Sequence, residues 1–319
     1  MSLFFTFLFL LKEFIYQAFF SRVCIKQIPY EISNKKKLHN YAIHIVSCIA
    51  VVHAILRKKK LSKSERLLQT HLSYMAAIVD MEMDKAVIID VASFLKTDSL
   101  ASKIIEFCIQ VLKDSSTLLE KDLQEYIDNG IEQQFSSLIQ KEKKLITSEV
   151  KKLTWQKCGS AFLLSRLLFN EKIDKKEEQF YYQYGGLGQL GDDLLDIYDD
   201  KQEGITSLAH LMNLDDLEVL YNQELGVLFA YLKSLNYSDT QKKKVAKIIS
   251  VVCSVPLLQF DNFKGKNIKF GNQFITGELT RKDTIVDMQS LKVVVLCYKQ
   301  SKKTFERYFL ANSRHNRLN

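Results

Sequence analysis

Residues 174–200, DKKEEQFYYQYGGLGQLGDDLLDIYDD, decide the fold class of this chain. Gly186, Gly188 and Gly191 spell G-x-G-x-x-G, which in dinucleotide-binding folds follows a β-strand. Here the residues before the glycines are charged and aromatic with helical spacing, which argues against that strand. The stretch therefore predicts a helix that contains glycines, each costing up to about 1 kcal/mol relative to alanine. We expect close packing, a kink or a ligand to require them.

The composition of the whole chain agrees with a helical globular protein. Its 319 residues are 47% hydrophobic and 26% charged, and they include only 2 Pro and 11 Gly. Sandwiches, barrels and parallel sheets need turn residues about every ten positions, so the scarcity of Pro and Gly argues against them. The composition also excludes disorder and coiled-coil fibres. We predict an all-α fold of about ten helices in a single domain over residues 1–319.

Apolar residues recur at helical spacing along most of the chain. They predict helices near residues 2–20, 37–57, 62–95, 99–113, 115–140, 143–170, 174–200, 205–234, 238–259 and 283–311. Residues 261–280, which follow Pro256, break this periodicity with Gly, Asn and Lys and are predicted to form a loop. The sequence pattern fits a mobile lid and a plain surface loop equally well.

Cysteine spacing and charge pattern bear on compartment and partners. The 6 cysteines are scattered without a C-x-x-C pair, which indicates free thiols in the cytoplasm. The net charge of +8 comes mainly from short lysine runs without interleaved aromatic residues, so no nucleic-acid partner is predicted. An anionic small substrate and an anionic membrane surface would use this charge equally well.

The N-terminal residues 1–20 begin with the apolar run MSLFFTFLFLL. The run is about ten residues long, whereas a membrane span needs about 20. Its apolar side chains fall on one face of a helix: Phe4, Phe7, Leu8, Leu11, Phe14 and Ile15. We expect a first helix packed on the protein body. A peripheral membrane contact through residues 1–20 and a cleaved signal are the alternatives.

Five carboxylates follow the glycine run within nine residues: Asp192, Asp193, Asp196, Asp199 and Asp200. The spacing of Asp192, Asp196 and Asp200 keeps them within about 80° of one helical face. Stacked like charges cost a few tenths of a kcal/mol per pair unless a cation relieves them. A solvated acidic helix end is the structural alternative, but the apolar residues between these acids indicate partial burial.

A second acidic pair, Asp80 and Asp84, lies one turn apart on an earlier predicted helix. Alone, it would be a surface feature or a partner of Lys85. Carboxylates on two facing helices can hold Mg²⁺, which completes its coordination with water and substrate phosphate. No His lies at ligand spacing from either cluster, so zinc and di-iron sites fit poorly. The two clusters together predict Mg²⁺ and a phosphate ester.

These motifs resemble those of the class I isoprenoid synthases, which comprise trans-prenyl diphosphate synthases, squalene/phytoene synthases and class I terpene synthases. Gln189–Asp196, QLGDDLLD, resembles the second aspartate-rich motif of prenyl diphosphate synthases, Q-x-x-D-D-x-x-D. The spacing of Asp192, Asp196 and Asp200 is also similar to the three-ligand metal motif of terpene synthases, although the Asn and Ser or Thr of that motif are missing. Asp80–Asp84 resembles the D-x-x-x-D first motif of the squalene/phytoene branch and lacks a doubled aspartate.

The resemblance covers about residues 65–215 and implies an antiparallel helical bundle around a central cavity. By analogy the metal ligands are Asp80, Asp84, Asp192, Asp193, Asp196 and Asp200, and four of them, Asp80, Asp84, Asp192 and Asp196, act in catalysis. The implied diphosphate-binding residues are Lys157, Gln189, Arg307 and Tyr308. Lys157 occupies the place of a lysine that contacts diphosphate in prenyl diphosphate synthases. Arg307 and Tyr308 resemble an Arg-Tyr pair of microbial terpene synthases. Arg281 is a weaker candidate. The implied cavity wall includes Tyr181, Tyr184 and Gly188.

The resemblance implies an enzyme that ionises an allylic prenyl diphosphate with a cluster of up to three Mg²⁺ ions. Chain-elongating members carry an Arg-Arg pair after the first motif and a Gly-Lys-Arg segment before it, and this sequence has neither. A terpene synthase is therefore favoured over a trans-prenyl diphosphate synthase or a head-to-head prenyltransferase. A non-catalytic membrane-peripheral or interaction protein is the alternative from another class. Substrate chain length, product and oligomeric state, including a homodimer, stay open.

Overall fold

The computed structural model describes an all-helical protein. It covers residues 2–32, 34–85, 99–116, 118, 120–142, 144–266, 268, 270, 280–286 and 290–311, with the side chains of residues 83–85, 120 and 142 outside the description. Within these ranges the chain forms helices and no β-strand, which confirms the predicted fold class. The finer assignment to the class I isoprenoid synthase bundle stays a prediction.

The chain divides into two compact units. Unit 1 comprises Met1–Phe7, Ser137–Gly159 and Lys175–Asn319, and unit 2 comprises Leu8–Ser136 and Ser160–Asp174. Two long helices, 3–25 and 147–167, therefore have residues in both units. The single domain over residues 1–319 and its central cavity stay predictions.

Unit 2 contains the helices of the first half of the chain. They are α1 (Leu3–Ile25, from Leu8 onward), α2 (Lys35–Ile45), a π-helical turn (Val46–Ala50), α3 (Val51–Leu56), α4 (Lys63–Lys85), α5 (Leu100–Ser115) and α6 (Glu120–Ser136). Helix α4 packs against α2, α5 and α6 and is the central helix of this unit. Its buried side chains mix apolar and polar types: Gln69 donates a hydrogen bond to the carbonyl of Ser165 at 2.7 Å.

Unit 1 contains the acidic stretch and the second half of the chain. Its helices are α7 (Ile139–Glu142), α8 (Thr147–Leu167, up to Gly159), α9 (Lys175–Leu195), α10 (Ile197–Gln202), α11 (Leu208–Leu211), α12 (Leu214–Ser234), α13 (Asp239–Val252), α14 (Ser254–Gly265), a 3₁₀ turn (Arg281–Thr284), α15 (Leu291–Thr304) and a π-helical turn (Phe305–Leu310). Helix α9 packs on α12 and α14. Aromatic side chains fill this core, with Phe180, Tyr221 and Phe260 almost completely buried.

Polar side chains cap the starts of several of the described helices. The side chains of Asn34, Ser99, Asn213 and Ser238 accept hydrogen bonds from backbone N–H groups in the first turns of α2, α5, α12 and α13. These N–H groups have no partner inside their own helix, so a cap stabilises each start by about 1 kcal/mol.

The predicted loop over residues 261–280 begins later than expected. Helix α14 continues to Gly265, so the first five residues of the predicted loop are helical, and residues 271–279 lie outside the described ranges. Pro256 does not end this helix because it lies in the first turn, where an N–H group has no intrahelical acceptor anyway. The predicted helix over 62–95 is described as far as Lys85.

The glycines of the acidic helix lie where α8 and α9 cross. A Cβ atom on Gly185 would lie 2.2 Å from the carbonyl oxygen of Cys158, and one on Gly186 would lie 2.4 Å from the Trp155 ring. On the other helix, a Cβ on Gly159 would lie 2.7 Å from the ring of Tyr182. The two backbones therefore approach too closely for any side chain, which is the close packing that the sequence led us to expect.

Helix α1 packs on the protein body as expected, but the face that the sequence predicted to be buried is largely exposed. Phe4, Leu8, Leu11 and Ile15 are each 45–56% exposed. The opposite face of the helix is buried and includes Gln17, whose side-chain amide donates to the hydroxyl of Thr70 at 2.8 Å. The polar partners on α4 explain why this face, and not the more apolar one, lies against the protein.

Three helical stretches among the described residues are long and apolar enough to cross a membrane. They are Leu3–Ile25, Lys35–Leu56 and Asp239–Gly265. This property concerns length and composition only. In Leu3–Ile25, 17% of the most apolar 18-residue segment is buried, compared with 56% and 72% of the corresponding segments in the other two stretches. Helix α1 is therefore the one whose apolar surface the protein itself leaves uncovered.

We expect Gly185→Ala to destabilise the protein by about 3 kcal/mol or more, because the new methyl group meets backbone atoms that cannot rotate away. Urea unfolding followed by circular dichroism measures the change. Gly226→Ala is the matched control: it is also helical, its nearest neighbour would be the Tyr308 ring at 3.7 Å, and it should gain up to about 1 kcal/mol. Equal stability of the two variants would contradict the close crossing of α8 and α9.

Candidate active site

The acidic stretch lies across a break between two helices. Helix α9 ends at Leu195 and α10 begins at Ile197, with Asp196 at the N-cap position. The backbone N–H of Asp196 donates to the carbonyl of Asp192 at 2.9 Å, and the N–H of Asp200 donates to the carbonyl of Asp196 at 2.8 Å. Because these hydrogen bonds span the break, the helical spacing of the acidic residues is maintained.

Two of the carboxylates, Asp193 and Asp200, line a small cavity in unit 1. They are seven residues apart, and 700° of rotation brings them within about 20° of the same face. Asp193 is 7% exposed, whereas Asp192 lies on the exposed side of the helix. The cavity has a volume of about 50 Å³ and is lined by Gln140, Thr154, Lys157, Gln189, Asp193, Asp200, Ile205 and Ser207. The inward pair is therefore Asp193 and Asp200, and Asp192 does not belong to it.

The Asp193 carboxylate is held from two sides. The side-chain amide of Gln189, one turn earlier, donates to its Oδ1 at 2.8 Å, and the hydroxyl of Thr154 donates to its Oδ2 at 3.5 Å. Gln189 is itself oriented, because the thiol of Cys158 donates to its amide oxygen at 2.8 Å. Helix α8 therefore supplies two of the side chains that position the carboxylate.

The pKa values of both carboxyl groups are raised. Burial raises the pKa of Asp193 to about 6, against the opposing effects of the Gln189 hydrogen bond and the Lys157 charge. Burial, together with the carboxylates of Asp193 and Asp196, raises the pKa of Asp200 to about 9. Lys157 lowers both values but does not fully compensate two buried negative charges.

The side chains around this cavity match the ligand preferences of Mg²⁺. Apart from Lys157, its polar lining offers carboxylate, amide and hydroxyl oxygens, and it contains no His or Cys. Within the described ranges no three His, Cys, Asp or Glu side chains form a ready metal cage. Mg²⁺ is commonly held through one or two carboxylates plus water and phosphate, so the pair Asp193 and Asp200 fits this ion.

Arg281 also lies at the acidic stretch, although the sequence gives it only a weak signal. Its Nε donates to the carboxylate of Asp199 at 2.5 Å, and its guanidinium lies 3.9 Å from the carboxylate of Asp196. The T-x-x-D spacing of Thr280 and Asp283 predicts a local turn, and the structure shows both reciprocal hydrogen bonds of a capping box there. Nothing in that spacing indicates that the turn docks on α10.

The three residues expected in the cavity wall lie elsewhere in unit 1. Tyr181 and Tyr184 are buried in the aromatic core, and the ring centroids of Phe180 and Tyr184 are 6.1 Å apart. Gly188 is on the exposed side of α9. None of the three is among the residues that line the small cavity.

Arg307 and Tyr308 belong to the π-helical turn that follows α15. The Tyr308 ring stacks on Phe229 with centroids 5.8 Å apart, and its hydroxyl donates to Asn222 at 2.7 Å. Arg307 is exposed and lies over the Tyr308 ring, with its guanidinium carbon 5.0 Å from the ring centroid. Tyr308 therefore packs on α12, and neither Arg307 nor Tyr308 is among the residues that line the small cavity.

The first acidic pair belongs to unit 2. Asp80 accepts a hydrogen bond from the hydroxyl of Tyr41 at 2.7 Å and is ion-paired with Lys37, whose Nζ lies 2.9 Å away. Both partners are on α2, so the charge of Asp80 is compensated within the unit. Asp84 lies on α4, one turn further along, and its side chain lies outside the description.

Comparison with known proteins identifies no relative. No protein-family model matches the chain, and no curated protein and no solved structure gives a significant match. Function therefore has to follow from the chemistry of the cavity and its surroundings.

We expect Asp200→Asn to stabilise the metal-free protein at pH 8 by about 1–3 kcal/mol. The folded-state pKa of Asp200 is raised to about 9, whereas an unfolded Asp has a pKa of about 4. The folded state therefore binds an extra proton between these values, and stability falls as the pH rises through this range. The amide cannot ionise, so the gain should disappear toward pH 4.

Urea unfolding from pH 4 to 9 in EDTA-containing buffer tests this expectation. Asp199→Asn is the control, since Asp199 is half-exposed and paired with Arg281, and its loss should give no gain at any pH. Destabilisation of Asp200→Asn at pH 8 would show instead that the carboxylate is ionised and stabilised by its neighbours.

Proposed function

We propose that this protein is a Mg²⁺-dependent class I isoprenoid synthase that ionises an allylic prenyl diphosphate, acting as a terpene synthase. The proposal rests on one observation above all: Asp193 and Asp200 line one small, polar cavity with Lys157 and Gln189. Two incompletely compensated carboxylates favour a divalent cation, and a lysine beside them favours a phosphate group. The resemblance of Gln189–Asp196 to the Q-x-x-D-D-x-x-D motif is the reason for proposing a prenyl diphosphate as the substrate.

Asp193 and Asp200 would hold Mg²⁺ in this proposal, with Asp192 and Asp196 nearer the solvent. When bound, Mg²⁺ would supply Lewis-acid neutralisation of the diphosphate leaving group and fix its orientation. Gln189 and Thr154 keep the Asp193 carboxylate in one orientation before any ligand arrives. Such preorganisation lowers the cost of binding a cation.

Lys157 would contact the diphosphate. The residue is partly buried and lines the cavity, and its charge lowers the pKa of both carboxyl groups. A compact positive charge with three N–H donors stabilises the negative charge that builds up on a departing diphosphate. Arg281 already compensates Asp199 at the solvent-exposed side of the same stretch, so it is a second candidate for this role.

The size of the cavity limits what it can contain. About 50 Å³ has room for an ion with some water ligands, but a pocket for a whole organic ligand is usually several hundred Å³. The proposal therefore assigns this cavity to the metal and diphosphate end only. The prenyl chain would need an apolar pocket beyond the lining residues.

The resemblance also implies Asp80 and Asp84 as metal ligands in a cluster of up to three Mg²⁺ ions. Asp80 would then have to exchange its ion pair with Lys37 for a metal bond. A trans-prenyl diphosphate synthase or a head-to-head prenyltransferase would use the same cavity with a second substrate. We place the enzyme in the cytoplasm, in keeping with the scattered cysteines.

We expect the purified protein, with Mg²⁺ and geranyl, farnesyl or geranylgeranyl diphosphate, to release diphosphate and a hydrocarbon or alcohol that mass spectrometry detects. Each substrate is also incubated with isopentenyl diphosphate, so that chain elongation would appear as a longer diphosphate. Asp193→Asn and Asp200→Asn should lower the rate by about 100-fold or more, and Lys157→Gln by about 10- to 100-fold. Mg²⁺ should raise the melting temperature of the wild type but not of the two Asn variants.

Asp215→Asn is the matched control, because its carboxylate is 83% exposed and pairs with Lys264 away from the cavity lining. It should retain wild-type activity and the Mg²⁺-dependent stabilisation. Absence of diphosphate release with every substrate, in a protein that unfolds cooperatively, would refute the catalytic proposal. Activity that survives Asp193→Asn and Asp200→Asn would refute the assigned site.

A further inference from the structure

Helix α1 exposes large apolar side chains along its whole length. Its outer face, here the residues Phe4, Leu8, Leu11, Ile15, Phe19 and Val23, is 45–64% exposed. These six side chains fall within an arc of about 120° on the helix. The buried side of the same helix contains Leu3, Leu10 and Cys24 as well as the polar residues Thr6, Gln17 and Ser21. An amphipathic helix in water buries its apolar face, so the surroundings of the outer face should be apolar.

The buried side of α1 is fixed to α4 by specific hydrogen bonds within unit 2. In addition to the Gln17–Thr70 bond, the hydroxyls of Ser21 and Tyr74 lie 2.7 Å apart. Arg66 donates to the carboxylate of Glu13 at 2.5 Å. These contacts extend over two turns of α1, so rotation of the helix to bury its outer face would leave several buried polar groups without partners.

The same contacts argue against α1 crossing a bilayer as a span. Helix α4 carries Lys63, Glu65 and Arg66 at its start and would have to accompany α1 into the hydrocarbon region. Helix α1 alone is apolar and long enough for a span, but its partner is not. A helix bound to the protein on one side can lie in the plane of the membrane and bury only its other side.

The charges on the exposed side of α1 indicate which lipids this helix would meet. Lys12 and Arg22 are its two exposed charged residues and both are cationic, while Glu13 is half-buried and ion-paired with Arg66. Both cations lie within the arc of the outer face, where long side chains reach headgroups while their stems stay in an apolar layer. Anionic headgroups are the complementary partner.

Within unit 1 the first residues of α1 contact α15, which also exposes apolar side chains. The ring centroids of Phe7 and Tyr298 are 5.9 Å apart, and Tyr298 is 37% exposed. On α15, Leu291 and Val295 are 78% and 45% exposed, and the exposed Lys299 follows them. Apolar side chains next to lysines are again typical of a surface that meets an anionic membrane.

We propose that the outer face of α1 docks on an anionic lipid bilayer, with the helix in the membrane plane and its buried face on α4. This inference does not depend on the proposed enzymatic function, since it rests on α1, α4 and α15. It explains why half-exposed Phe, Leu and Ile side chains persist along the whole length of a well-anchored helix.

Flotation of the full-length protein with vesicles tests the proposal. The probes are phosphatidylcholine vesicles and vesicles with about 30% phosphatidylserine. We expect binding to the anionic vesicles that weakens in high salt. The triple variant Leu8→Gln/Ile15→Gln/Phe19→Gln should bind at least about tenfold more weakly, because three apolar side chains no longer enter the lipid. Lys12→Gln/Arg22→Gln should lose about tenfold on the anionic vesicles.

The matched control replaces three other exposed apolar residues, as Ile146→Gln/Val219→Gln/Val227→Gln, and should bind like the wild type. Circular dichroism confirms that each variant is folded. Failure of the folded wild type to bind either vesicle would overturn the proposal. A dimer in sedimentation velocity that the α1 triple variant converts to monomer would show that a second copy covers the face. Resistance to alkaline extraction would indicate a membrane span and would also overturn it.

Discussion

The close crossing of α8 and α9 is the contact on which the candidate site depends. Gly159, Gly185 and Gly186 allow the two backbones to meet, with a prospective Gly185 Cβ only 2.2 Å from the carbonyl of Cys158. This approach brings Thr154, Cys158 and Lys157 of α8 beside Gln189 and Asp193 of α9, although they are more than 30 residues apart in sequence. A methyl group at the crossing would separate the helices and also the groups that hold the carboxylate.

Burial behind this crossing gives the acidic stretch its unusual electrostatics. On a solvated helix end, five carboxylates would repel one another weakly and keep ordinary pKa values. Here burial raises the pKa of Asp193 and Asp200, and one lysine provides partial compensation. Ionising both carboxyl groups in the folded chain therefore costs free energy, and a divalent cation would relieve that cost. Such a cost is expected where binding rather than stability shaped the residues.

The sequence predicted the helical class and most helix positions because spacing and composition are local properties. It placed Lys157, Gln189 and the acidic stretch in one site through the motif resemblance, and in the structure Lys157, Gln189, Asp193 and Asp200 line one cavity. The sequence could not show that Asp193 rather than Asp192 faces the cavity. The two residues are neighbours on α9, and only the packing of α9 on α8 distinguishes them. The resemblance also assigned Tyr181, Tyr184 and Gly188 to a cavity wall, yet they do not line this cavity. The sequence near Arg281 gave little indication that this residue lies at the acidic stretch, because its partner Asp199 is 82 residues away.

By itself the sequence determined the helical class, a glycine-rich helix and an acidic stretch with helical spacing. Each of these follows from the residues within a few turns of one another. Only the tertiary structure decided which carboxylates are buried, that Lys37 compensates Asp80, and that the apolar side of α1 lies outward. These outcomes depend on partners far away in the chain: the polar side chains of α4 bind those on the buried side of α1, and no periodicity within α1 specifies that choice.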